Sequence, residues 1–195
     1  MIRQAIRRDF AEAVPLIWQA IGDLAFLLTG TSEVQKTVSI LSDFFQQENN
    51  RLSYQNALVM EEEGHLVGLV LLYDGAKARE LDLPLERAAA ARSGDLNYHI
   101  PTEPGVSEFY LDTLSVIPRC QGRGYGRILI EAGCDRARRL QHSRIALLVE
   151  VDNPAAKRLY DRLGFRTDYT RLLAGHEYFH MVRSLEKDQS DAVVE

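Results

Sequence analysis

Apolar residues change their period several times along the chain, and each change marks an element. Residues 2–6 (IRQAI) alternate and predict a short first strand. Asp9 with Glu12 three residues on forms a capping-box pattern for a helix expected to reach about Leu28, with Gly30 closing the segment. Ser32 with Gln35 repeats the signal, and Val34, Val38, Leu41 and Phe45 fall at helical spacing in a second helix ending near Asn50. The period then shortens. Residues 56–62 (NALVMEE) and 65–73 (HLVGLVLLY) predict a hairpin turned by Glu63-Gly64.

The weakest pattern lies at 74–107. There PLERAAAARSG predicts a short helix with Pro84 in its first turn and Gly94 past its end, and NYHIPTEPGVS predicts loop. Clear signals resume with a strand at 107–116 (SEFYLDTLSV), a glycine-rich loop at 119–127 (RCQGRGYGR) and a helix from about Gly124 to Leu140. RIALLVEV at 144–151 is nearly all apolar, as in a strand covered on both faces. Asn153-Pro154 supplies an N-cap and an N1 proline to a helix that stops at Gly164, and two closing strands flank Ala174-Gly175. This order, β-α-α-β-β-insert-β-α-β-α-β-β, predicts an α/β fold with a mixed sheet and helices on both faces. One domain is expected over 1–184, with an insert at about 74–106 and a frayed polar tail at 185–195.

Composition narrows the field. A formal net charge of −5 argues against general nucleic-acid binding, which needs a broad basic face. Apolar runs such as 66–73 are too short to cross a bilayer, so no membrane partner is expected. The N-terminus MIRQAIRRDF has no apolar stretch of the signal-peptide kind. Cys120 and Cys134 lack disulfide-scaffold or zinc spacing, and the expectation is reduced thiols in a soluble, cytoplasmic protein. Locally the charge reverses: residues 119–144 hold seven arginines against Glu131 and Asp135.

That reversal sits on the glycine loop. A P-loop would need GxxxxGK[ST], and no Lys-Ser/Thr pair follows. A dinucleotide fingerprint would need its last glycine three residues on, whereas Gly122, Gly124 and Gly126 alternate. What remains is the physics both patterns share. Glycines clear space for backbone N–H groups to converge on an anion, and the following helix N-terminus adds partial positive charge. Alternatively the loop is a tight turn with solvated arginines.

Gln121-Gly122-Arg123-Gly124-Tyr125-Gly126 matches the [R/Q]-x-x-G-x-[G/A] signature of the GNAT N-acetyltransferase superfamily. The strand LDTLSVIPRC before it resembles that family's fourth strand. VEVDNPAAKRLYDRLGFR downstream resembles its second signature: an Asn opens a helix, a Tyr follows seven residues later, and Gly-Phe ends it. The element order agrees as well. The resemblance is best over 107–166, weaker over 1–73, and absent as a motif at 74–106.

The resemblance implies the acyl-coenzyme A N-acyltransferase fold, with a largely antiparallel central sheet. It implies acetyl-CoA as cosubstrate, an unidentified primary-amine acceptor, direct attack on the thioester and no metal. The loop would wrap the pyrophosphate, and backbone groups of Leu114, Ser115 and Val116 would pair with the pantetheine arm. Leu114's amide would polarise the thioester carbonyl. The coenzyme-contacting set would then comprise Leu114, Ser115, Val116, Gln121, Gly122, Arg123, Gly124, Tyr125, Gly126, Arg127, Asn153 and Ala156. Tyr160 matches the family tyrosine that protonates the departing thiolate; spacing alone puts it on one helix face with Asn153. The residues also leave Asn153 as a plain cap and Tyr160 as a core aromatic.

For the base that deprotonates the amine, Glu108 and Asp112 share strand parity with Tyr110, unless a bulge intervenes, and a water-mediated route is equally open. His176 and His180 read as surface histidines rather than a metal pair, and Tyr98, His99 and Glu103 as plain loop or as acceptor-pocket lining. The rival class is a non-catalytic acyl-coenzyme A sensor, which needs the loop but neither acid nor base. The expected assembly is a monomer or homodimer.

Overall fold

The computed structural model describes residues 1–186. Its centre is a seven-stranded sheet ordered β1-β2-β3-β4-β5-β7-β6. The strands are β1 (Ile2–Gln4), β2 (Ala57–Glu62), β3 (His65–Asp74), β4 (Phe109–Val116), β5 (Arg144–Glu150), β6 (Arg166–Leu173) and β7 (His176–Ser184). All neighbours run antiparallel except β4 and β5, which are parallel. The expected mixed, largely antiparallel sheet is what forms.

Helices cover both faces. On one side α5 (Tyr125–Arg139) and α6 (Pro154–Arg162) pack Leu129, Ile130, Cys134 and Tyr160 against Leu72, Leu111 and Leu147. On the other, α1 (Phe10–Ile21), α2 (Leu24–Thr29), α3 (Val34–Gln46) and α4 (Ala78–Ser93) pack Ile17, Leu28, Phe45 and Leu85 against Leu69 and Leu71. β3 contributes Val70 and Leu72 to the first core and Leu69 and Leu71 to the second, which is why it reads as a continuous apolar run.

Several helical expectations need correction. The first helix breaks in two at Gly22, whose φ of 52° no helical residue adopts, and α2 restarts after Asp23. The Asp9–Glu12 capping box does not form. Asp9 instead accepts the Ile6 N–H and pairs with Arg3, while Glu12 accepts the Leu66 N–H from β3. The Ser32–Gln35 box is absent too, since Glu33 precedes α3 and caps nothing with its side chain. Val34 and Val38 are exposed; the buried stripe of α3 is Thr37, Leu41, Phe44 and Phe45.

The insert helix is longer than Pro84 suggested. α4 begins at Ala78 and carries Pro84 inside it; the Glu80 carbonyl loses its helical N–H donor, which is tolerable in a helix that buries Leu85 and Ala89. Gly94 ends it in the left-handed region as expected. Leu185, expected to begin the tail, packs into the core, and residues 187–195 lie outside those described.

Candidate active site

β4 contains the fold's decisive irregularity. Leu72 pairs with Leu111 and Leu71 with Thr113, so Asp112 is an extra residue, a β-bulge. Before it, the Gly75 N–H donates to the Glu108 carbonyl, so even-numbered residues bond to β3 while Phe109 and Leu111 turn toward β5 and pair with it. After it, the Ile117 N–H donates to the Val67 carbonyl. Odd-numbered residues now bond to β3, and the backbone groups of Leu114 and Val116 turn away from it.

They face no strand. Pairing of β4 with β5 stops at Leu111 opposite Leu147, whereas β5 stays bonded to β7 as far as Glu150. The two parallel strands therefore part, and a cavity of about 630 Å3 opens between them. Leu114, Ser115, Val116, Gln121, Asn153, Ala156 and Tyr160 all line it. The Val116 carbonyl is meanwhile held by the side-chain amides of Gln19 and Gln121. Ser115 turns its hydroxyl to Gln19 on the α1 face.

The cavity continues along the α5–α6 face to the glycine loop, whose wall includes Gly122, Gly124, Tyr125, Gly126 and Arg127. Gly122 and Gly124 take φ of 74° and 84°, the left-handed values that keep the loop tight without side-chain strain. The N–H groups from Gly122 to Arg127 donate to no other described residue. They crown the N-terminus of α5, a helix of 15 residues, a geometry that suits an anion. Arg127 and Arg162 line the same space. Arg123 does not: it turns to Glu62 at 3.1 Å, and the Tyr125 hydroxyl donates to that carboxylate at 2.8 Å. Gly126 adjoins the strand edge, for a Cβ there would lie 3.6 Å from Leu159 and 4.0 Å from Leu114.

Asn153 caps α6 by accepting the Ala156 N–H at 3.1 Å. Two turns on, Tyr160 is buried, with its ring edge-on to Phe165. Its hydroxyl donates to no other described residue, and burial pushes its pKa up to about 12, so it enters any reaction protonated.

The two carboxylate candidates part company. Glu108 is buried outside the cavity, 3.2 Å from His180 Nε2 and accepting the Gly105 N–H at 2.8 Å. Burial raises its pKa, but those two hydrogen bonds and the nearby Arg144 outweigh burial and hold it below the usual value. His180, expected at the surface, is buried beneath the stacked Tyr169 ring. Asp112 does line the cavity. It is paired with Arg51 and accepts the Tyr73 hydroxyl at 3.0 Å.

Arg51 lies in the turn after α3, in no motif, and is fully enclosed. Burial works against its charge, but Asp112, Glu103, Tyr73 and Asp82 around it keep it firmly protonated. Glu103, from the insert, lines the cavity and accepts the Tyr110 hydroxyl at 2.7 Å. Asp82 on α4 is pushed up to about 6 by burial, with Arg51 as the main opposing influence. One signal in the sequence pointed here: a charged residue midway along the apolar FYLDTLSV must be paired if buried.

Residues 23–165 match the Acetyltransferase (GNAT) family, and the chain belongs to that family. Among solved structures, one described as an acetyltransferase superposes with a TM-score of 0.78 at 29% identity, over 95% of this chain and 100% of that one. An N-acetyltransferase from Staphylococcus aureus Mu50 has the same fold, with a TM-score of 0.78 at 24% identity over 93% and 99% of the two chains. A mycothiol acetyltransferase of Rhodococcus opacus (strain B4) is 41% identical over 68 residues, or 35% of this chain and 22% of that protein. The aligned stretch thus spans about a fifth of that relative's length. No described helix is long and apolar enough to cross a membrane, and no cluster of metal-ligating side chains occurs among the described residues.

Proposed function

We propose that the chain transfers the acetyl group of acetyl-CoA to the nitrogen of a primary amine by direct attack. One observation carries this reading: a continuous cleft joins the unpartnered amides of Gly122–Arg127 to the free edge of β4 and the hydroxyl of Tyr160. The cradle suits a pyrophosphate, and the edge at Leu114 and Val116 suits an extended amide-bearing arm that hydrogen-bonds like an added strand.

The thioester oxygen then meets the Leu114 N–H, a fixed donor where negative charge develops. The amine lone pair attacks the carbonyl carbon, the carbon–sulfur bond breaks, and the thiolate takes the Tyr160 proton. The amine gives up its proton to Asp112 directly or through a water that Asp112 holds. Glu108, enclosed by His180 and Gly105, acts as a structural anchor at the start of β4.

Calorimetry with acetyl-CoA at modest salt, with a thiol-release assay over an amine panel, tests this reading. Binding with turnover supports it; binding without turnover on any amine favours a sensor; absence of binding removes it.

A further inference from the structure

We infer that Gln19 sets how tightly the site holds its coenzyme, by parking a side-chain amide on the strand-edge carbonyl that the coenzyme's arm must take. The inference rests on the acetyltransferase reading above and concerns how that site admits and releases acetyl-CoA. The gap between β4 and β5 opens toward both helical layers of the sheet. Ala156 and Tyr160 line it from α6, and Gln19 and Ile21 line it from α1 on the opposite face.

Val116 is the last residue of β4, and its backbone groups turn away from β3 toward the gap. Its carbonyl oxygen has two lone pairs, and two side-chain amides fill them. Gln121 Nε2, from the glycine loop, donates at 3.0 Å. Gln19 Nε2, from the last turn of α1, donates one hydrogen to the same carbonyl at 3.0 Å and the other to the Ser115 hydroxyl at 2.9 Å. Ser115 is buried, and Gln19 is the partner of its hydroxyl, so the serine fixes the glutamine in place.

An amide-bearing arm that joins this edge as a strand needs the Val116 carbonyl for one of its own N–H groups. Three donors cannot share two lone pairs, so one glutamine must yield. Gln121 is held by its loop, where its backbone N–H donates to the Pro118 carbonyl. Gln19 has somewhere to go. It is exposed at the mouth of the cavity, and its bond to Ser115 can persist while the other N–H swings out to water. When the arm departs, the same amide refills the lone pair, so the carbonyl is never left short of a donor. Gln19 thereby weakens the hold on acetyl-CoA and on product CoA equally, since both carry the arm. No motif marks this residue, which lies 97 positions before the carbonyl that it covers.

Calorimetry on the wild type, Gln19→Leu and Gln19→Ala with acetyl-CoA, CoA and ADP tests the inference. ADP carries a pyrophosphate but no arm. Leucine and alanine both suit an exposed helical position and cannot donate, and alanine adds no apolar contact of its own. Each variant should tighten acetyl-CoA and CoA alike by about fivefold, the worth of one neutral hydrogen bond, and leave ADP unchanged. A merely structural role for Gln19 would weaken binding or lower stability, not raise affinity for the arm alone. Weaker or unchanged acetyl-CoA binding in the variants, or an equal gain for ADP, would overturn the inference while coenzyme binding stands. Absence of acetyl-CoA binding by the wild type would instead remove the reading beneath it.

Discussion

On the α5–α6 face of the gap the unpartnered polar groups are backbone amides, set in place by one short loop. On the opposite face the polar groups are side chains drawn from distant segments and gathered around one buried arginine. The first device depends on main-chain conformation and leaves a compact sequence signature. The second depends on ion pairing between residues up to 61 positions apart, and any one of them is unremarkable alone. The first should therefore fail locally, in coenzyme affinity, and the second globally, in stability.

The largest effect expected from that contrast is at Arg51. Arg51→Met would leave Asp82, Glu103 and Asp112 crowded together without a cation, at a cost of about 3–5 kcal/mol, read as a lower urea midpoint. A loss under about 1 kcal/mol would mean the cluster is solvated, and the contrast would collapse.

Asp82 offers a pH test of the same cluster. Its carboxyl, raised to about 6 from an ordinary 3.8, binds its proton more tightly in the folded state. Its contribution is therefore complete below the unfolded value and is lost as pH rises through about 6. Between pH ~4 and ~7 the wild type should lose up to about 3 kcal/mol relative to Asp82→Asn. Parallel pH–stability curves would refute the raised carboxyl.

On the cradle side, effects should be catalytic and smaller. Tyr160→Phe should lower kcat about 100-fold with acetyl-CoA affinity retained by calorimetry; an unchanged kcat would remove the tyrosine as proton donor. Gly124→Ala meets no neighbour, since a Cβ there has open space within 4 Å, so only its φ of +84° resists. About 1 kcal/mol of backbone strain should weaken acetyl-CoA binding roughly fivefold and spare kcat. A change confined to kcat would place the loop's role elsewhere.

This contrast also accounts for what the sequence disclosed. Gly122–Gly126, Asn153 and Tyr160 were legible because each needs a fixed residue type at fixed spacing. The strand order followed from apolar runs that only covered strands tolerate. The break at Gly22 stayed hidden because a helical stripe of apolar residues continues across it, and Pro84 misled because tertiary burial of Leu85 and Ala89 outweighed one lost hydrogen bond. Arg51 was invisible for a different reason. A single arginine in a polar turn becomes an interior residue only once α4, the insert and β4 have closed over it. Glu108 and Asp112 had equal standing by parity, and only the loop at Gly105 and the histidine of β7 separate their surroundings.

The extra residue in β4 acts much as a frameshift does in a reading frame. Upstream of Asp112 the strand is spelled in one phase, with Leu111 bonded into the sheet on the β5 side; downstream it is spelled in the other, with Leu114 presented to the gap. Substituting Asp112 alters a letter and should retune the acceptor side. Deleting it would leave Leu111 opposite Leu72 and Thr113 opposite Leu71, so Leu114 would still turn away from β3; what would be lost is the local bend that the extra residue puts into the strand where it parts from β5. Efforts to redirect this site should therefore keep a carboxylate at 112, which the buried Arg51 and the Tyr73 hydroxyl both engage, and keep the bulge that carries it.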